Sequence, residues 1–307
     1  MLTPRLVRPL TLDAQHHPRG QPHLSAASGI VHVGAHLYIV ADDEHHLARL
    51  DARDPQGSAI ELVRFAPGEL PQEKEERKRR KPDVEVLLQV PADVAGGRGL
   101  LVLLGSGSRP PRERAFAAAV DEAGRLQAAR EIRAADFYAP LVALFGEVNI
   151  EAATIDDARL YLFQRANRGQ PQNARIAYDA RDFVRWLGAE AQAPRSSDVL
   201  SFSLGAQEGV PFGITDATPL AGGGCVFTAV AENTADAYRD GACLASLVGW
   251  MDPGGSVRAI EHLAGAPKVE GIADAGDGSF WLVTDTDDPQ HPSLLLELAV
   301  APPVPAA

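Results

Sequence analysis

Four carboxylates, Glu85, Glu151, Asp216 and Glu270, and one hydroxyl, Ser28, recur at intervals of 57, 66, 65 and 54 residues, by subtraction of those numbers. Each opens a small-residue or apolar stretch: "ASGIVHV" (27–33), "DVEVLLQ" (83–89), "NIEAATI" (149–155), "TDATPLA" (215–221) and "VEGIADA" (269–275). An acid inside a run such as "VNIEAATI" must face a partner, because an unpaired carboxylate is not stable in a buried strand. Brought together, two such groups about 6 Å apart repel by roughly 3 kcal/mol at an effective dielectric near 20. Either some are protonated or a cation is held among them. An all-oxygen set suits a hard ion, calcium with magnesium as the alternative, and no Cys or His pair has zinc-ligand spacing. An ion there could polarise a substrate oxygen and acidify a bound water, with Glu151 or Glu270 as the general base.

The elements that would position these groups repeat with them. After each anchor a turn leads to a second apolar strand, at 36–41, 99–105, 159–164, 224–230 and 279–285. Third strands follow at 47–51, 114–120, 174–179, 242–250 and 293–298, and fourth strands at 59–65, 125–132, 199–205 and 256–263. The fifth unit lacks a fourth strand, while "RLVRPLTL" (5–12) is a spare strand with no unit of its own. Placed at the edge of the last sheet it closes a ring, and Pro9 is tolerable on an edge. The expected fold is all-β: a β-propeller of five four-stranded blades, or six if one unit hides two, formed by a single domain over residues 1–300. The tail 301–307 is expected to fray. "ARDFVRWLGAEAQAPRSS" (180–197) reads as a short helix and loop, and "EKEERKRRK" (73–81) as a solvated loop between the first two units.

The loops after the second strands are rich in acids, amides and arginines, which suits a small polar or anionic ligand. Lys81, Arg109, Arg112, Arg165 and Arg168 are the cations expected to meet it. His45 and His46 read as loop surface. "GSGS" lacks the Lys-Ser/Thr that completes a phosphate loop, and no G-x-S-x-G nucleophile motif is present.

Composition narrows the classes. A formal net charge of −12 argues against nucleic acid and anionic membranes as partners. No stretch has the length of a membrane span, and the first twenty residues lack a signal-peptide core, so a cytoplasmic location is expected, with Cys225 and Cys243 as reduced thiols. A monomer is expected, with a protein partner on the rim as a further possibility.

"KVEGIADAGDGSFWLVTDTDDPQHPSLLLEL" (268–298) resembles a pattern shared by the esterase-like phytase, SdiA-regulated and SMP-30/gluconolactonase types of β-propeller. "KPDVEVLL" (81–88) and "NIEAATI" look like weaker copies. The resemblance implies that first strands line a central channel and that their entry loops open on one face. It also implies a divalent ion, often calcium, at the channel mouth, which maps to Glu85, Glu151, Asp216 and Glu270. Asp285, at the end of "LVTD", matches the aspartate of that pattern. Three functions are carried forward: a metal-dependent hydrolase of small polar esters, lactones or phosphoesters; a non-catalytic binding propeller with a structural calcium; and a glycosidase.

Overall fold

The repeated units fold as five four-stranded antiparallel sheets in a computed structural model that describes residues 1–156, 158–236, 241–265, 267–286 and 288–300. Blade 1 is β2–β5 (Ala27–Val33, His36–Ala41, His46–Asp51, Glu61–Arg64) and blade 2 is β6–β9 (Val84–Val90, Leu100–Gly105, Arg114–Ala119, Arg130–Arg133). Blade 3 is β10–β13 (Ile150–Ile155, Arg159–Gln164, Asn173–Asp179, Asp198–Phe202). A small hairpin, β14 (Ala206–Gln207) and β15 (Val210–Pro211), leads to blade 4, β16–β19 (Gly213–Pro219, Cys225–Glu232, Cys243–Met251, Val257–His262). Blade 5 is β20–β22 (Val269–Asp274, Ser279–Thr284, Leu294–Ala299), completed by β1 (Arg5–Pro9) paired antiparallel to β22. The ring is therefore a five-bladed β-propeller closed by its N-terminal strand. The tail 301–307 lies outside the described residues.

Burial explains why each strand has its composition. Inner and second strands are covered on both faces by neighbouring blades, so β10 and β17 are buried throughout and read as continuous apolar or small-residue runs. The outermost strand faces solvent on one side, and β19 alternates half-buried and exposed residues along its length. Apolar side chains gather into five separate cores, one at each seam between adjacent blades. Five seams close the ring without a sixth blade.

Three features depart from expectation. The segment read as a loop at 73–81 contains helix α1 (Lys74–Arg80), whose N-terminus is capped by Glu73. A second helix, α2 (Ala135–Phe145), joins blades 2 and 3 and packs Phe137 against Trp186 of α3 (Ala180–Leu187), the expected helix, with ring centroids 4.8 Å apart. His45 and His46 are buried rather than on the loop surface. Burial holds both imidazoles below the usual histidine range, His46 down to about 4.

Cys225 is buried and Cys243 half-buried, and both are free thiols. Among the described residues no helix is long and apolar enough to cross a membrane.

Candidate functional site at the channel mouth

Every inner strand carries a β-bulge near its start, where the register to the second strand slips by one residue. The extra residues are Ser28, Glu85, Glu151, Thr215 and Glu270. A bulge re-aims one side chain out of the ordinary alternation, and here it turns one residue per blade toward the channel mouth. Four of the five expected anchors hold this position. In blade 4 it belongs to Thr215, and Asp216 sits one residue further on. Ser28 and Thr215 do the same thing: each hydroxyl donates to the carbonyl just before the next blade's anchor, Val84 O at 2.7 Å and Val269 O at 2.8 Å. The hydroxyl anchors clip blades together. The carboxyl anchors of blades 2, 3 and 5 remain for chemistry.

Asp216 is thus corrected as a metal ligand. Its Oδ2 accepts from Ile272 N–H and its Oδ1 from Ala217 N–H, both at 2.8 Å. Burial raises its pKa well above the carboxylate range, against the pull of these backbone donors. The side chain ties the inner strand of blade 4 to that of blade 5 and does not line the mouth.

Two further rings surround the anchors. Two residues before each anchor stand Ala26, Asp83, Asn149, Gly213 and Lys268. In four blades their carbonyls accept from the residue that follows the second strand: Asp42, Ser106, Arg165 and Asp285, at 2.8–3.0 Å. The charged members of these rings share one cavity with the carboxyl anchors.

Arg165 organises it. Its guanidinium donates to Glu232 at 2.5 Å, to Glu151 at 3.1 Å and to Glu270 at 3.5 Å, and all four side chains are buried. The reach requires Gly213: a Cβ there would stand 2.6 Å from Arg165 Cγ and 2.4 Å from the Ala166 carbonyl. Burial alone would lower the Arg165 pKa, but the surrounding carboxylates raise it. Lys268 Nζ adds to the cluster at 3.4–3.7 Å from Glu232, Glu270 and Asp285.

On the opposite side Lys81 pairs with Asp42 and, at 2.9 Å, with Asp83, which also accepts from Arg112 at 2.6 Å. Burial opposes ionisation of Asp83, yet Lys81 and Arg112 carry its pKa below the usual value. Burial raises Asp42 to about 6 despite Lys81.

Glu85 lies between the two clusters. Among the described residues it makes no hydrogen bond and no ion pair. Burial, then repulsion from Glu151, Asp83 and Asp42, raises its pKa well above the carboxylate range. Water still reaches its side chain, since the residue is half-buried at the cavity floor. Glu151 is raised to about 7, by burial first and by Glu270 and Asp83 after it, with Arg165 opposing.

The six cations and acids expected at a ligand divide clearly. Lys81, Arg112, Arg165 and Asp285 line the mouth. Arg109 and Arg168 are corrected: both are exposed outside it, and Arg168 donates to Asn233 at 3.1 Å. Asp42, Asp83, Glu232 and Lys268 belong to the site and were not anticipated, nor was Lys78 of α1, which reaches the same wall.

The four-carboxylate calcium set is not assembled, because Asp216 faces elsewhere and Arg165 takes Glu151 and Glu270. Among the described residues, the groups that could converge on an ion are one oxygen each of Asp42, Asp83 and Glu85, within 4.8 Å of one another. Two of these three already hold Lys81. A sugar-stacking platform is absent too: no aromatic side chain lines the mouth among the described residues.

Residues 23–300 match the family of unknown function DUF6929. The chain belongs to this family. No curated protein matches the sequence. Among solved structures the α-L-arabinofuranosidase PaAbf62A from Podospora anserina, in complex with cellotriose, is similar over 97% of this chain and 96% of its own, at 13% identity and a TM-score of 0.51. The PQQ-bound aldose sugar dehydrogenase from Streptomyces coelicolor aligns over 98% and 99%, at 13% identity and 0.48. Glutaminyl cyclase from Myxococcus xanthus aligns over 98% of both chains, at 12% identity and 0.47. At such identities the likeness bears on the fold alone.

Proposed function

We propose that the channel mouth binds a small, strongly polar substrate and hydrolyses it by carboxyl acid–base chemistry. The substrate classes are those the sequence pattern suggested: small polar esters, lactones or phosphoesters. One observation carries this reading. Glu85 and Glu151 are neighbouring carboxyls on a water-accessible cavity floor, and both are held above the usual carboxylate range. Like charges at close range let one carboxyl ionise while the other keeps its proton, which supplies an acid and a base at one pH.

In this scheme Glu151 is the base. Its oxygens accept from Asn149 Nδ2 at 2.6 Å and from Arg165 at 3.1 Å, and each keeps a further lone pair for a water proton. A pKa of about 7 suits it to that task near neutrality. The water oxygen bonds to the carbonyl carbon or phosphorus, and its proton passes to Glu151. The bond to the leaving oxygen breaks as Glu85 gives that oxygen its proton. Glu270, the other base expected from sequence, is held by Arg165 and Lys268 and serves to position Arg165.

The test is a panel of lactones, carboxyl esters and phosphomonoesters assayed with Glu85→Gln and Glu151→Gln. Each substitution is expected to lower kcat about 10²–10⁴-fold, and loss of Glu151 should abolish the limb of the pH profile near 7. Turnover that survives both substitutions would sink the assignment. A second reading, a non-catalytic binding propeller with calcium or magnesium, is favoured by the convergence of Asp42, Asp83 and Glu85 oxygens. It predicts no turnover with any substrate and a melting temperature that rises with calcium and falls with chelator.

A further inference from the structure

We infer that the mouth recognises its ligand through a cationic nitrogen, a primary ammonium or guanidinium seated on Glu85. The inference rests on the mouth being a ligand site, as proposed above; a cation seated on Glu85 occupies the acid of that scheme, so this ligand is bound there and not hydrolysed. Of the described residues lining the cavity, eight carry carboxyl groups and five carry cationic groups. The loop arginines that suggested an anionic ligand do not meet this need, because Arg109 and Arg168 lie outside the wall and Arg165, Arg112 and Lys81 already pair with the mouth's own acids.

Among the described residues Asp285 meets Lys268 at 3.4 Å. Asp42 and Asp83 hold Lys81; Glu151, Glu232 and Glu270 hold Arg165; Glu85 makes no hydrogen bond or ion pair among the described residues. An incoming donor can reach it without evicting a side chain.

Nitrogen fits better than a metal ion. The mouth already holds four ammonium or guanidinium groups, those of Lys81, Arg112, Arg165 and Lys268, against carboxylates, at N···O distances of 2.9, 2.6, 2.5 and 3.5 Å. Calcium needs six to eight oxygens at about 2.3–2.6 Å, and collecting them here would displace Lys81 from Asp42 and Asp83. A quaternary ammonium is disfavoured because it donates no hydrogen bond and relies on aromatic faces, which the described wall lacks.

The experiment is calorimetry on the full chain at pH 6 in two buffers of different ionisation enthalpy. The titrants are 1,4-diaminobutane, guanidinium chloride, tetramethylammonium chloride and calcium chloride at constant ionic strength. Diaminobutane or guanidinium is expected to bind, tetramethylammonium to bind at least tenfold more weakly, and Glu85→Gln and Glu85→Ala each to weaken binding at least tenfold. Melting curves check that both variants are folded. Calcium binding without amine or guanidinium binding would overturn the inference, as would amine binding indifferent to both substitutions or no binding by any titrant. The hydrolase reading fails separately: turnover of neutral substrates without amine binding defeats this inference alone, and amine binding without turnover defeats only the hydrolase.

Discussion

The same five strands build two opposite ends of one channel. At the mouth they present Ser28, Glu85, Glu151, Thr215 and Glu270. One side-chain period along, they present Ile30, Leu87, Ala153, Ala217 and Ile272, which line a cavity at the other end. Two residues of chain therefore separate a ring that holds ionised groups from one that holds none. The period-2 alternation of a strand would allow charge at both levels. What differs is the supply of counter-charge: Arg165, Lys81, Lys268 and Arg112 all reach the mouth from loops, whereas no Lys or Arg lines the far cavity among the described residues. Asp216 stands at the boundary, held by backbone N–H groups instead of a cation.

If counter-charge is what permits the acids, placing one in the apolar ring should do the most damage. Ile272→Glu is expected to cost about 4–5 kcal/mol or prevent folding, as for an uncompensated buried charge. Urea unfolding measures it, and a loss under about 1 kcal/mol would show that the far ring tolerates charge unaided.

The converse change removes the counter-charge from the mouth. Arg165→Met should cost about 3 kcal/mol, near the lower end for a broken buried pair, because the stranded carboxyls can take up protons. Its deficit should therefore shrink as pH falls from 7 to 5, and Arg165→Lys should recover part of it. A deficit that does not change with pH would mean the arginine matters for packing alone.

Thr215→Val tests the neutral anchor. It removes hydrogen bonds to Val269 O and Thr228 and should cost about 1–2 kcal/mol, with ligand affinity at the mouth unchanged. Loss of affinity without loss of stability would assign Thr215 to the site.

The smallest effect is a slope. Glu151 has a folded pKa of about 7, above the 4.5 of the free group, so its contribution to stability is complete below about 4.5 and is lost as pH rises through 7. His46 runs the other way: with a folded pKa of about 4, its contribution is complete above 6.5 and is lost as pH falls toward 4. Melting temperatures of Glu151→Gln should gain on those of the unsubstituted protein between pH 5 and 8, and those of His46→Phe should gain between pH 6.5 and 4. Parallel curves would refute both assignments.

The blades were legible because each repeats an apolar residue, an anchor and a turn at nearly the same spacing, and the hydrophobic pattern alone sets strand phase. The error at blade 4 came from matching charge rather than phase. Aligned on the apolar residue before the anchor, Ile214-Thr215 falls in register with Val84-Glu85, Ile150-Glu151 and Val269-Glu270. The same alignment would have exposed Asp83, Asn149 and Lys268, each two residues before its anchor. Arg165 was legible as a cation but not as the centre of the mouth, because its reach across Gly213 joins two blades and no spacing within one strand encodes that. Helix α1 was hidden by its own composition, seven charged residues in a row with no apolar face.

The strand that completes blade 5 has a consequence for how the chain is made. Residues 5–9 emerge from the ribosome long before their partner, residues 294–299. At the usual 5–20 residues per second, β1 waits roughly 15–60 s for β22 to exist. Blades 1 to 4 can form in turn during synthesis, but the seam between blades 5 and 1 stays open until translation has passed residue 299. A nascent chain of this protein therefore carries a tethered, unpaired strand and an uncovered apolar seam while the blades between them are made, open to association with other chains throughout that interval.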